Sequence, residues 1–318
     1  MLTAMGFMGA LLIAMVVDRW LGEPASRLHP VVWMGNYLNW AGGQIRPDPS
    51  PEIRDLKAFS LAALYWWAGV AMVLMVACAL QWAALLLPWY LAAPLLGLAL
   101  KPMLAWAMLA SEVQAVEYAL GDSLQAGRER LAMLVSRDTS QLSESEVRES
   151  AIESLAENLN DSVLAPIFWF VLFGLPGAAV YRFANTADAM WGYRGLRKGV
   201  NWEWAGKWAA RADDVLSWLP ARITALLLVA VSGRVSLKKL KLEAGKTPSP
   251  NSGWPMAAMA LALGVSLHKP GVYALNPNGR PPQAVDTASA QKYASKVVWT
   301  QYIWASLAIL LIAIWKLL

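Results

Sequence analysis

The stretch AFSLAALYWWAGVAMVLMVACALQWAALLLPWYLAAPLLGLAL, from Ala58 to Leu100, runs between Lys57 and Lys101 without one charged side chain. A chain in hydrocarbon must satisfy its backbone hydrogen bonds internally, and an α-helix needs about 20 residues to cross. The run is long enough for two spans, expected at 58–80 and 82–100. Gln81 or the region from Pro88 to Pro94 marks the turn between them. Further uncharged or nearly uncharged runs predict membrane helices at 1–17, 162–181, 215–233 and 297–315. Between the spans at 82–100 and 162–181, residues 101–161 read as mainly amphipathic helix, with Ser143 and Glu146 at capping-box spacing. Trp254 to Leu267 is a shorter apolar stretch, and the Pro/Asn/Gly-rich tract Asn276 to Pro282 reads as a loop.

Composition agrees with that reading. The chain is 57% hydrophobic and 15% charged, whereas an ordinary globular chain is about a quarter charged. Its 18 Trp suit the headgroup boundary, where an indole is half buried and its N–H stays wet. A greasy soluble helical enzyme is the alternative, but it would have to bury every one of these runs. The run up to Val17 has no basic residues before it and no small-residue cleavage site after it, so it reads as a first span rather than a signal peptide. The expected fold is all-α: a polytopic helical integral membrane protein, one membrane domain over 1–318, multi-pass in a cell membrane. Amphipathic helices and broken or re-entrant segments would form a polar cavity. Lys and Arg are spread evenly over the loops, so sidedness is not fixed by charge.

The net charge of +5 is dispersed, and Lys238, Lys239 and Lys241 make the one dense cluster. No nucleic-acid face is indicated. The single cysteine, Cys78, lies in an apolar run, which excludes a disulfide framework and a cysteine-based zinc site. Gly245-Lys246-Thr247 resembles the end of a P-loop, but Leu240 stands where its first glycine would be. No nucleophile elbow or dinucleotide fingerprint is present.

Chemistry concentrates in polar clusters beside the apolar runs. Glu153, Glu157 and Asp161 recur every four residues, with Asn158 beside them, so three carboxylates share one helix face. Their repulsion asks for Arg partners or for a cation such as Mg2+. The alternative is a solvated amphipathic face. Arg182, Asn185 and Asp188 follow the run at 162–181, again on one face, and Arg194 comes next. Arg211, Asp213 and Asp214 then precede Trp218, Pro220 and Arg222. Adjacent aspartates beside arginines suit metal and phosphate binding or a plain ion-pair network. If 162–181 crosses the bilayer, these clusters lie on opposite faces. They can meet if that segment, interrupted by Pro166 and Pro176, is broken or re-entrant. His29-Pro30 is a turn residue or a ligand. Ser249 to Trp254 is turn chemistry in which Ser249 and Asn251 either cap a helix or present amides to an anion.

In this order the clusters resemble the adenosylcobinamide-phosphate synthase family of cobalamin biosynthesis, CobD or CbiB. The resemblance runs through Asp18-Arg19, Gly22-Glu23-Pro24, His29 to Gly35 and Arg137-Asp138-Thr139. It is densest in ESLAENLNDSVLAPIFW (from Glu153), GLPGAAVYRFANTADAMWGYR (from Gly174) and ARADDVLSWLPARITALL (from Ala210), followed by SPNSGWPMAAMALALGV from Ser249. Ser162, where many members have Gly, and the segment after Tyr273 depart from the pattern. The resemblance implies ATP-dependent amide formation between adenosylcobyric acid, a corrinoid substrate, and (R)-1-aminopropan-2-ol phosphate or aminopropanol, with ATP and Mg2+ as cofactors. Other enzymes of the pathway are possible partners, besides the lipid membrane.

With that resemblance, Glu157, Asp161, Asp188, Asp213 and Asp214 are expected to include the metal ligands and any general base. Mg2+ is assigned to Asp188, Asp213 and Asp214. Asn158 and Asn185 would orient the reacting amide, and Arg194, Arg211 and Arg222 would hold phosphate or corrin carboxylates. His29, Ser249 and Asn251 complete the substrate-binding set, with His29 a candidate cobalt ligand. A transporter of a corrinoid or another small solute is the competing class, since intramembrane carboxylates also relay ions.

Overall fold

The computed structural model describes residues 2–47, 54–197, 199–233 and 235–315. Met1 and Lys316, at the outer limits of the first and last expected spans, lie outside them. The regular structure of the described residues is helical apart from two short antiparallel hairpins, the first pairing β1 (Leu196–Arg197) with β2 (Val200–Asn201). Five helical stretches among them are long and apolar enough to cross a membrane: Leu2–Leu21, Leu56–Leu85, Trp89–Asp122, Trp202–Ser232 and Ala284–Trp315.

By internal contacts the chain forms two compact units, Met1–Leu104 with Ala165–Leu216 and Ala305–Leu318, and Ala105–Leu164 with Ser217–Trp304. The first unit contains α1 (Leu2–Leu21), α2 (Pro30–Ile45), α3 (Leu56–Leu85), α4 (Trp89–Leu100), α8 (Ala165–Phe173), α9 (Leu175–Trp191) and the four-residue α10 (Trp202–Ala205). Here α1 packs on α4, and α2 and α3 pack on α9. Small residues make the first contact close, for Ala4, Ala10, Ala14, Ala92, Ala93 and Gly97 are all buried. That is how apolar helices associate where lipid is as greasy as the side chains.

The second unit contains α5 (Trp106–Asp122), α6 (Leu124–Ala132), α7 (Glu144–Leu159), α12 (Leu237–Ala244), α13 (Gly253–Leu263) and most of α14 (Ala284–Trp315). The long helix α11 (Lys207–Ser232) contributes to both units. The expected capping box starts α7, with Glu146 Oε2 accepting from the Ser143 N–H at 2.7 Å. Unlike a solvated amphipathic helix, α7 is buried on nearly every side, and α5, α6, α13 and a hairpin pack around it. The hairpin joins β3 (Leu267–Lys269) to β4 (Tyr273–Leu275).

Two expected boundaries move, each for a visible reason. The turn between the second and third spans falls at 86–88 rather than at Gln81, because Gln81 is not a breaker but a cap. Its Oε1 accepts the Leu175 N–H at 2.8 Å, satisfying the first turn of α9. The segment 162–181 is not one helix. A π-helical turn, Asn160–Leu164, leads into the nine residues of α8, and the chain breaks at Gly174 before α9. At about 1.5 Å per residue, α8 is far short of a roughly 30 Å hydrocarbon core. Gly174 has φ +69°, and a Cβ there would meet Gln81 Oε1 at 2.0 Å. Gly177 then lets α9 fold back on α8, since a Cβ would stand 2.3 Å from the Trp169 carbonyl. The other spans lengthen. α1 continues past residue 17 and carries Asp18 and Arg19, α11 takes in Arg211, Asp213 and Asp214, and α14 begins at Ala284.

Candidate active site

In the second unit, Glu149, Glu153 and Glu157 stand one turn apart on α7. The π turn that ends the helix then sets the pitch for Asp161. One extra residue in a turn re-aims the side chains that follow, and such turns are frequent at functional sites. The turn is held at several points. The Ala105 N–H donates to the Ser162 carbonyl at 3.0 Å, and Asn160 Nδ2 donates to Asp161 Oδ1 at 2.7 Å. Thr224 Oγ1, on α11, donates to Asn160 Oδ1 at 3.0 Å. Asn158 is folded onto its own helix, donating to Ser154 O and Oγ at 3.0 and 3.3 Å.

Glu149 and Glu153 are buried. The Arg137 Nη2 donates to Glu153 Oε2 at 2.7 Å. The β3–β4 hairpin covers the same face. His268 meets Glu149 through Nδ1, and its backbone N–H donates to Glu149 Oε2 at 2.9 Å. Loss of water, then repulsion from Asp161 and Glu153, pushes the Glu157 carboxyl up to about 7, against weaker opposition from Lys269 and Arg137. Burial likewise raises Glu149 to about 7, although His268 pulls the other way. Tyr273 is raised by burial and by the carboxylates of Glu153 and Glu157. The result is a carboxylate face with a proton to exchange near neutrality, the condition a general base or acid needs.

Arg222, Ser249 and Asn251 belong to the second unit and hold each other. Arg222 Nη1 donates to the Trp218 carbonyl at 2.6 Å and Asn251 Oδ1 at 3.0 Å, and Nη2 donates to the Pro250 carbonyl at 3.2 Å. Its guanidinium also lies over the Trp218 and Trp254 rings, 4.2 and 4.9 Å from their centroids. The amides of Asn251 and Ser252 donate to Ser249 Oγ, each at 3.2 Å. These groups fasten the turn before α13 to α11, which is a structural use of residues expected to bind substrate.

The first unit carries the remaining expected residues. Asn185 and Asp188 lie on α9, and Asn185 Nδ2 donates to Asp213 Oδ1, on α11, at 3.3 Å. Asp188 is pinned at the end of its helix, where the Gly192 N–H donates to its carbonyl at 2.7 Å. Arg194 interacts electrostatically with Asp214. Arg194 and Arg211 are exposed. Among the described residues no group of three or more His, Cys, Asp or Glu is arranged to hold a metal ion. Asp188, Asp213 and Asp214 thus do not make a protein-only cage.

His29 caps α2, with its Nδ1 accepting the Val31 N–H at 3.2 Å. That bond puts the ring proton on Nε2, which faces Glu23 Oε2 at 3.1 Å. Both nitrogens therefore have protein partners, an arrangement suited to a helix cap more than to a cobalt ligand. Glu23 Oε1 pairs with Lys101 Nζ at 2.7 Å, and the same ammonium reaches Asp18 Oδ1 at 3.1 Å.

Sequence reasoning overlooked Glu149, His268, Lys269 and Tyr273. Glu149 was within reach, since it extends the 153, 157, 161 series by one turn. The hairpin residues come from far along the chain, and no local pattern links them to α7.

The family model described as CobD/Cbib protein matches residues 11–299. The probable cobalamin biosynthesis protein CobD of Thermococcus kodakarensis is 39% identical over 95% of this chain and 95% of its own length. That of Methanothermobacter thermautotrophicus is 39% identical over 85% and 87%. The cobalamin biosynthesis protein CobD of Chromobacterium violaceum is 37% identical over 93% and 94%. No solved structure matches. With a family model spanning most of the chain and relatives matched nearly end to end, this helical protein belongs to the CobD/CbiB family of cobalamin biosynthesis.

Proposed function

We propose that the protein is an amide-forming ligase, joining adenosylcobyric acid to (R)-1-aminopropan-2-ol phosphate, or to aminopropanol, with ATP. The observation that carries the reading is Glu157, a carboxyl pushed up to about 7 beside Glu153 and Asp161. Amide formation needs a group that takes a proton from the attacking amine. A base serves best when its pKa lies near the working pH.

In this reading a propionate oxygen of the corrinoid attacks the γ-phosphorus of ATP, giving an acyl phosphate and ADP. The amine nitrogen then attacks the acyl carbon, inorganic phosphate leaves with the C–O electron pair, and the amine proton passes to Glu157. Arg137 pairs with Glu153 beside it, and Tyr273 and Lys269 border the same face. Mg2+ would arrive with the phosphates and neutralise their charge, which is its habit with nucleotides.

Purified protein in detergent, given ATP, Mg2+, the corrinoid acid and the amino alcohol phosphate, tests this. Amide and ADP formed in equal amounts support the ligase. Uptake of corrinoid into sealed liposomes with no covalent change would assign the carboxylates to transport.

A further inference from the structure

The first unit encloses a cavity of about 640 Å3 that the proposed reaction does not use. Met72, Val76 and Leu80, a stripe at helical spacing on α3, form one wall, with Leu21, Trp33 and Leu98 among the residues around it. Val76 is 60% and Leu98 55% exposed. Both belong to stretches apolar enough to cross a membrane, so the cavity opens sideways toward hydrocarbon.

Its ionisable lining is confined to Glu23, Lys101 and Tyr37. Tyr37 is used, donating to the Tyr65 carbonyl at 2.7 Å. The Lys101 side chain is sealed at 3% exposure and shared between Asp18 and Glu23. His29 Nδ1 is taken up by the Val31 N–H, and its Nε2 faces Glu23. The charge a ligand can reach is the Glu23 carboxylate, 21% exposed, whose oxygens keep acceptor capacity beyond their bonds to Lys101 and His29. An ionisable residue at the edge of a lipid-facing cavity is costly and calls for a ligand.

We propose that this cavity binds an amine-headed phospholipid, phosphatidylethanolamine, with an acyl chain along Met72, Val76 and Leu80 and its ammonium donating to Glu23. A corrinoid fits poorly, because its rim of amides would find few polar partners on these walls. An anionic headgroup would meet the carboxylate. A quaternary ammonium has no N–H to donate. Arg27, exposed on the turn between Glu23 and His29, is available to the lipid phosphate, and its carbonyl fixes Trp33 by accepting from Nε1 at 2.9 Å.

Native mass spectrometry of the full chain in detergent, titrated with dioleoyl phosphatidylethanolamine, phosphatidylcholine or phosphatidylglycerol, tests the site. The ethanolamine lipid should be retained about tenfold more tightly than either competitor, the size of one charge-assisted hydrogen bond. Glu23→Gln should reduce that preference to within about twofold. Val76→Trp, a substitution at an exposed position that fills the groove, should lower retention of all three lipids. Equal retention by the native protein, an undiminished preference in Glu23→Gln, unchanged retention in Val76→Trp, or displacement of lipid by the corrinoid acid would each overturn the proposal.

Discussion

Arg137 donates to Glu153 at 2.7 Å, on a carboxylate that is 1% exposed. The pairing makes the carboxylate face of α7 tenable, since a lone charge buried beside Glu149 and Glu157 would go uncompensated. Removing the cation should therefore cost more than removing the pair. Arg137→Met is expected to destabilise by about 3 kcal/mol, and Arg137→Met with Glu153→Leu by clearly less. Thermal unfolding in detergent measures both, and equal losses would mean that the ion pair is not what holds this face.

Glu157 sets a pH dependence with a definite sign. Its folded pKa, about 7, lies above the roughly 4.3 of an unfolded glutamate. Stability is then fullest below the unfolded value and falls as pH rises through the folded one, because the unfolded chain ionises first. The expected loss between pH 5 and 8 is on the order of 2 kcal/mol, reduced from the ideal linkage value because Glu157 is only partly buried. Glu149 adds to it in the same direction. Unfolding profiles of Glu157→Gln should be flatter over this range and the variant more stable at pH 8. A native profile rising with pH would contradict the environment described for Glu157.

Arg222 is a clamp, and its shape matters as much as its charge. Arg222→Lys keeps the charge but loses the fork shared by Asn251 and Pro250 and the stacking on Trp218 and Trp254. A loss of about 2 kcal/mol is expected for Lys, nearly that for Ala. Lys behaving as the native residue would show that only charge is needed.

Gly192 fixes Asp188 by leaving room for it. A Cβ there would stand 1.9 Å from Asp188 Oδ1 and 2.7 Å from its carbonyl, so Gly192→Ala must shift the carboxylate. If Asp188 serves the reaction, amide synthesis should fall at least tenfold, since displacements near 1 Å are that costly. Full synthesis in this variant would take Asp188 out of the site.

The helical membrane fold was legible because long uncharged runs leave a chain few alternatives. What the runs did not disclose was how they break. Gln81 reads as a turn only until Leu175 is known to need a cap, and Gly174 reads as an ordinary residue until Gln81 stands beside its Cα. The same holds for the site. The series at 153, 157 and 161 was readable from helical periodicity. Its cover by His268 and Tyr273 depends on a hairpin more than a hundred residues away. For Arg222, Ser249 and Asn251 a clamp and an anion site draw on the same side chains, and their mutual hydrogen bonds become visible only in the fold.

The most direct test of amide formation follows one oxygen. Corrinoid acid carrying 18O in the reacting carboxylate, incubated with the purified protein, ATP and the amino alcohol phosphate, should yield amide together with inorganic phosphate bearing a single 18O, at a rate that rises with pH around 7 and loses that rise in Glu157→Gln. No amide, or amide formed with unlabelled phosphate, would contradict the account.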